Sequence, residues 1–336
     1  MTVFSYSLLK KANILYAKKK VVVLGMGGTI AGKALNVSDN IRYTAALLGV
    51  DDLLLSAQGA LPPCEIEMEQ VAQLDSKDMS MSALSMLAQR VVHWLSLPEV
   101  QGVVVTHGTD TLEETAFFLQ QVCSPVKPVV LTCAMRPATA LAPDGPQNLR
   151  DALTVAQDDI ASGVVVVCAG RVHAARDVQK SHTYLLDAFT SGDAGCVAYI
   201  EEGTLRRVGR WPVPGDDLVV DALKKLNQMP RGSDDDWPRV EIVMNYVGAS
   251  GNVVDALVRL GVQGIVVAGT GNGTIHRSLE DALVVANSRG IAVVRSTRCA
   301  NGRVLPILGS RFLDSAGLSP VKARIALILH LLTTRR

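Results

Sequence analysis

Two threonines stand where hydroxyl chemistry could be done, each in a polar turn directly after a β-branched apolar run. In Val103-Val-Val-Thr-His-Gly-Thr-Asp-Thr-Leu-Glu-Glu114, Thr109 and Asp110 lie between the run Val103–Val105 and helically spaced apolar residues over Leu112–Gln121. Near the start of the chain, Val21–Leu24 leads into Gly25-Met-Gly-Gly-Thr-Ile-Ala-Gly32, where Thr29 is the one hydroxyl in glycine-rich backbone. A hydroxyl is a weak nucleophile until a neighbour takes its proton. Lys180 could do so if burial and cationic neighbours such as Arg176 lower its pKa. Asp110 could orient that lysine or fix a substrate ammonium. Glycine N–H groups near Thr29 could form an oxyanion hole, and Gly28 is taken as substrate-binding. Together these residues point to amide hydrolysis through an acyl-enzyme, with no metal and no cofactor. Taken alone, His-Gly-Thr-Asp-Thr reads equally well as a turn and a helix N-cap.

Such chemistry needs strand ends brought side by side, because ligands of open α/β sheets bind just beyond the carboxyl ends of strands. Buried strands are expected at Val21–Leu24, Val103–Val105, Pro128–Cys133 and Val164–Cys168, and again at Val240–Val243, Ile265–Ala268 and Ile291–Arg295. Helices are expected at Met81–Leu95, Leu112–Gln121, Asn148–Ile160, Val219–Asn227, Ser250–Leu260, Ser278–Ser288 and Pro320–Leu332, with one opening at Thr44–Leu48. Gly170–Ser181, rich in charge, reads as a solvated loop. The glycine-rich turn after the first strand matches neither the dinucleotide G-x-G-x-x-G spacing nor a Walker loop. The fold class is α/β, with a larger doubly wound N-terminal domain (residues 20–208) and a smaller C-terminal α/β domain (residues 239–336). A Pro/Gly-rich linker (residues 209–238) joins them, and a basic extension (residues 1–19) precedes them.

Composition narrows the partners. Lys+Arg 33 against Asp+Glu 32 leaves +1, so no basic field exists to hold nucleic acid or an anionic membrane. No apolar run approaches the roughly 18 residues of a spanning helix, and the N-terminal residues lack the marks of a secretory leader. The six cysteines show no zinc or C-x-x-C spacing, which suits a reducing, cytoplasmic setting.

Four motifs sharpen the reading. Gly27-Gly-Thr-Ile-Ala-Gly32, Thr106-His-Gly-Thr-Asp-Thr-Leu-Glu-Glu-Thr115, Ala134-Met-Arg-Pro137 and Asp144-Gly-Pro146 with Asn148 together resemble the bacterial-type L-asparaginase family. The resemblance implies hydrolysis of L-asparagine to L-aspartate and ammonia, with minor glutaminase activity, in a homotetramer built as a dimer of dimers. Carried over by motif, Thr29 matches the nucleophile and Tyr43 the tyrosine that activates it. Thr109, Asp110 and Lys180 match the second threonine with its aspartate and lysine. Ser76, Lys77, Asp110, Gly28 and Ala134 fall at substrate-binding positions. The chain departs from the family's periplasmic members at Lys77, where they have glutamine. It departs again at Gly248, where they have an asparagine reaching a neighbouring subunit, and in lacking a glutamate over Cys299–Arg311. The missing leader resembles the cytoplasmic branch, whereas Met135-Arg-Pro137 resembles the periplasmic one. Two other functions fit less of the pattern. An amino-acid sensor keeping the fold would bind asparagine without product, and a tRNA-dependent amidotransferase subunit would need a further N-terminal domain.

Overall fold

The computed structural model describes residues 20–59, 61–213, 218–228 and 234–334; the expected extension, residues 1–19, lies outside them. Valine-rich runs form the centre of the molecule. Strand β1 (Lys20–Gly27) is followed by a short antiparallel pair, β2 (Lys33–Ala34) and β3 (Tyr43–Thr44), and then by β4 (Glu65–Leu74), β5 (Val100–Thr106), β6 (Val129–Thr132) and β7 (Val164–Cys168). β8 (Arg171–Ala174), the pair β9 (Gln179–Lys180) and β10 (Phe189–Thr190), β11 (Ala198–Glu201) and β12 (Thr204–Arg207) complete the N-terminal part. One sheet runs in the order β12-β11-β8-β7-β6-β5-β1-β4, parallel from β7 to β4 and antiparallel beyond β7.

Helices cover both faces, which is why the central strands read as unbroken apolar runs. Val21, Val23, Val104, Val130 and Val165 pack against α1 (Val50–Ala57), whose buried Leu53 and Leu54 join them, and against α4 (Gly145–Ala156). Val22, Leu24, Val103, Val105 and Val164 face α2 (Met81–Leu95) and α3 (Leu112–Cys123). β4, by contrast, is a half-exposed edge strand whose Glu69 faces α2. Glu69 takes Arg90 at 2.6 and 2.8 Å and the Trp94 indole at 2.6 Å.

The C-terminal part is a parallel sheet in the order β13 (Val240–Met244), β14 (Gly264–Gly269), β15 (Ala292–Thr297), β16 (Leu313–Asp314). Helix α5 (Leu218–Gln228) packs on α3. α6 (Asn252–Arg259) and α7 (Arg277–Ser288) cover one face of this sheet. α8 (Pro320–Thr334) lies between its other face and α3, so one continuous core spans both parts.

Three local expectations need correcting. Thr44–Leu48 does not open a helix. Ala46 takes φ 56°, and the N–H groups of Ala46, Leu47 and Leu48 bond to the carbonyls of Gly28 and Ala31 at 2.8–3.0 Å, tying this segment to the Thr29 turn. Gly170–Ser181 is not a solvated loop. A two-residue turn, Ala169-Gly170 with both φ positive, folds Arg171–Ala174 back on β7 as a sheet strand, and Gln179–Lys180 pairs with β10. The fourth helix begins at Gly145, with Pro146 in its first turn, and ends at Ala156 rather than Ile160.

Candidate active site

Counting only the parallel strands, the order β4-β1-β5-β6-β7 reverses direction between β1 and β5, and such a reversal leaves a crevice at the strands' carboxyl ends. The ends of β4, β1 and β5 therefore lie side by side, carrying Ser76, Thr29 and Thr109. The turns touch at two glycines. Gly28 has φ +83°, and a Cβ there would sit 2.2 Å from the Gly108 nitrogen; a Cβ on Gly108 would sit 2.4 Å from Ser76 Oγ. Only glycine lets two backbones approach so closely.

Thr29, in a short 3-10 turn over Thr29–Ala31, is buried, and its Oγ1 lies 2.7 Å from the Tyr43 hydroxyl. Tyr43 reaches it because β3 pairs with β2 and the following residues are bonded back onto the turn. The expected glycine oxyanion hole does not form from Gly28 or Gly32. Their N–H groups are given to the Leu74 carbonyl at 2.9 Å and the Thr29 carbonyl at 2.8 Å.

On the β5 side, Lys180 Nζ donates to Thr109 Oγ1 at 2.7 Å and to Asp110 Oδ1 at 2.6 Å. The Asp110 side chain is 54% exposed, leaving room for a second cation. Ser76, almost fully buried, accepts the Asp110 N–H on its Oγ at 3.2 Å, and its carbonyl accepts the Thr111 hydroxyl at 2.7 Å. Thr111 is the N-cap residue of α3, but its hydroxyl serves Ser76 rather than the helix. His107, fully buried below, bonds through Nδ1 to the Gly108 carbonyl at 2.7 Å and through Nε2 to Thr115 at 3.0 Å. Burial holds its pKa down to about 4, so it is a neutral strut for the turn.

Beyond β6, the Asp144 carboxylate accepts the N–H groups of Met135 and Arg136 at 2.9 and 3.0 Å. Buried Asn148 donates to the Cys133 carbonyl at 2.9 Å and accepts the Ala169 N–H at 3.0 Å. Together these bonds shape the turn at Ala134, which lies across Gly145 from Ile30. Lys77 behaves differently: its ammonium is bonded to Asp75 at 2.9 Å and Asp78 at 2.8 Å, which raises its pKa. Tyr43 is also shifted upward, mainly by burial and further by the charges of Asp110 and Asp75, against the hydrogen bond to Thr29. The close approach of the Gly28 and Gly108 backbones brings the two hydroxyl clusters to the same crevice. Arg176 is not a partner of Lys180: its guanidinium donates to the Ala316 carbonyl at 2.6 Å, and its charge bears on Lys322. Among the described residues no cluster of three metal-ligating side chains occurs, and no helix is long and apolar enough to cross a membrane.

The geometry agrees with what the chain is similar to. The family model for the asparaginase N-terminal domain matches residues 20–211, and that for the glutaminase/asparaginase C-terminal domain matches residues 239–336. The chain belongs to the asparaginase family. L-asparaginase 2 of Bacillus subtilis is 36% identical, over 93% of this chain and 82% of its own length. L-asparaginase 2 of Escherichia coli is 35% identical, over 95% and 90%. The crystal structure of a probable cytoplasmic L-asparaginase from Campylobacter jejuni superposes with a TM-score of 0.83 at 33% identity, covering 94% of this chain and 96% of that one.

Around this asparaginase crevice stand two buried ionic residues that sequence reasoning passed over. Glu113, on α3, accepts the backbone N–H of Lys180 at 2.6 Å. Lys322, on α8 and 2% exposed, donates to the carbonyls of Arg176, at 2.9 Å, and Val178. Glu113 was visible only as part of a motif, and Lys322 lies in the first turn of a largely apolar helix, where a lysine normally reaches water.

Proposed function

We propose that this asparaginase hydrolyses L-asparagine through a Thr29 acyl-enzyme, with glutamine as a lesser substrate and without metal or cofactor. The observation that carries the reading is the meeting of two hydroxyl clusters, Thr29–Tyr43 and Thr109–Lys180–Asp110, across the contact of Gly28 with Gly108. Thr29 Oγ1 attacks the side-chain carboxamide. Tyr43, with its proton held by an upward pKa shift, accepts the Thr29 proton only as it passes its own to the amide nitrogen that leaves as ammonia, so it relays the proton rather than storing it. Lys180 donates to Thr109 Oγ1, and the Thr109 hydroxyl, whose own donation to Asp110 Oδ1 is long at 3.5 Å, can turn its proton to hydrogen-bond the leaving nitrogen. Ammonia departs, and water then hydrolyses the aspartyl ester and restores Thr29.

Substrate capture follows from the same groups. The open Asp110 carboxylate suits the α-ammonium. Ser76, accepting from the Asp110 N–H, keeps its own proton to offer the α-carboxylate. Lys77 acts on that carboxylate only through space, because its ammonium is already shared by Asp75 and Asp78. Ala134 sits at the leaving-amide end of the crevice. Glutamine differs by one methylene, worth about 1–3 kcal/mol in a pocket, so both amides are expected to react. The reading also takes the protein as a cytoplasmic homotetramer, on the strength of the family resemblance; a monomer by light scattering would remove the tetramer.

Ammonia release from asparagine, glutamine and their D-forms, measured side by side, tests the activity. Thr29→Ala and Lys180→Met are expected to fold and to release no ammonia above background. Full activity in either removes that residue from the mechanism.

A further inference from the structure

Lys180 enters the crevice from a short strand rather than from a main-sheet strand end, so something else must fix its backbone. Among the described residues, two-residue β9 pairs only with β10. The segment before it, Arg176–Val178, turns on N–H bonds from Asp177 and Val178 to the Ala174 carbonyl, which leaves its own carbonyls to other donors. Lys322 supplies them. Its ammonium bonds to the Arg176 carbonyl at 2.9 Å and to the Val178 carbonyl, from a side chain that is 2% exposed. Glu113 closes the arrangement from the other side by accepting the Lys180 N–H at 2.6 Å.

We propose that Lys322 is a positioning residue by which the C-terminal helix, together with Glu113, locks the Lys180 backbone so that its ammonium stays on Thr109 and Asp110. The inference rests on the catalytic role given above to Lys180, and deepens it. A buried ammonium carries a heavy desolvation cost, and an apolar side chain that avoided it would leave both carbonyls without this donor. Its use here is intelligible if the geometry of that backbone matters more than the stability gained. A neutral amine could not offer as many donors. Burial draws the Lys322 pKa down to about 8, and the charges of Glu113 and Asp177 oppose that fall while Arg176 adds to it. At neutral pH the group therefore remains mostly charged. Two further buried titrating groups feel the Lys322 charge: Glu113, whose carboxyl pKa burial pushes upward, and His173 on β8, whose pKa burial pushes down to about 4. The arrangement couples the two parts of the chain: Lys322 belongs to the C-terminal part, Glu113 and Lys180 to the N-terminal part.

A graded series tests it: Lys322→Arg, which keeps a charged donor, Lys322→Gln, which keeps one short donor, and Lys322→Met, which keeps none. Two readouts are needed. For asparagine hydrolysis, kcat is expected to fall along the series, to about one tenth or less for the Met variant, with KM within about threefold and the arginine variant restoring most of the loss. Hydrogen exchange by mass spectrometry, which requires no turnover, is expected to quicken tenfold or more in the peptide spanning residues 176–181, with β1 and β5 unchanged. If the Met variant does not fold, the Gln variant is read in its place. A folded variant lacking the ammonium, with kcat within twofold of the unmodified enzyme and unchanged exchange, overturns the proposal. So does a loss of kcat that vanishes when activity is divided by the folded fraction. Were the unmodified chain inactive on asparagine, the functional reading would fail by itself, and the exchange data would still decide whether Lys322 holds this segment.

Discussion

Gly28 and Gly108 show how much a missing side chain can decide. At Gly28 an added methyl group would meet the Gly108 backbone nitrogen at 2.2 Å, and φ is +83° besides, so neither space nor conformation admits another residue. At Gly108 the obstacles are the Ser76 hydroxyl at 2.4 Å, which can rotate away, and Ser76 Cβ at 2.7 Å with the Gly28 Cα at 3.1 Å, which yield only by a backbone shift. The two positions should fail differently. Gly28→Ala is expected to lose on the order of 3 kcal/mol of stability, read from urea midpoints, as strain and clash add. Gly108→Ala, at a position without positive φ, should lose less, yet raise KM for asparagine severalfold, because Ser76 must leave the place from which the proposed reading has it meet the substrate carboxylate. Equal midpoints for the two variants would contradict this account.

Among the elements, the turn after β6 is held by side chains rather than by regular backbone pairing. Asn148 serves the Cys133 carbonyl, the Ala169 N–H and, at 3.3 Å, the Asp144 carboxylate, all from a position 2% exposed. A residue with so many buried obligations cannot be replaced by an apolar one of similar size without orphaning its partners. Asn148→Leu is therefore expected to destabilise the fold by about 3 kcal/mol in urea unfolding, since an unpaired buried polar group costs roughly 1–3 kcal/mol. A loss below about 1 kcal/mol would show that the partners find substitutes. This element was legible in advance because its residues, Ala134 to Pro137 and Asp144 to Asn148, form a contiguous pattern. The return of Arg171–Ala174 into the sheet was not. Its charges suggested solvent, and the signal that mattered was the Ala169-Gly170 turn, whose positive φ values suit a tight hairpin.

At the scale of the whole molecule, buried histidines set the acid limit. His107 and His173 are both held near pKa 4 by burial, against an ordinary value of 6.5, with Arg171 and Lys322 adding to the effect at His173. Below pH 6.5 the unfolded chain binds protons that these rings refuse in the fold. The stability they allow at neutral pH is thus lost as the pH falls from about 6.5 to 4, up to about 3 kcal/mol each for a shift of that size. Glu113 and Asp151, shifted upward by burial, act with the opposite sign and offset part of the loss. Urea midpoints across this range should decline for the unmodified chain and less steeply for His173→Gln. An equal slope would remove His173 from the explanation.

The sequence by itself determined the apolar strands, most helices, the paired hydroxyl turns and the family. Those features depend on local period and on contiguous motifs, which each stretch of chain carries within itself. The resemblance already paired Thr29 with Tyr43 and Thr109 with Lys180, and tertiary structure supplied those contacts; it alone decided that Lys77 is tied to its own turn and that Lys322 reaches the lysine segment from the far end of the chain. Each of these joins residues 14 to 146 positions apart or chooses among competing partners within one turn. No local pattern encodes such a choice; the order of strands in the sheet and the packing of α8 on α3 make it.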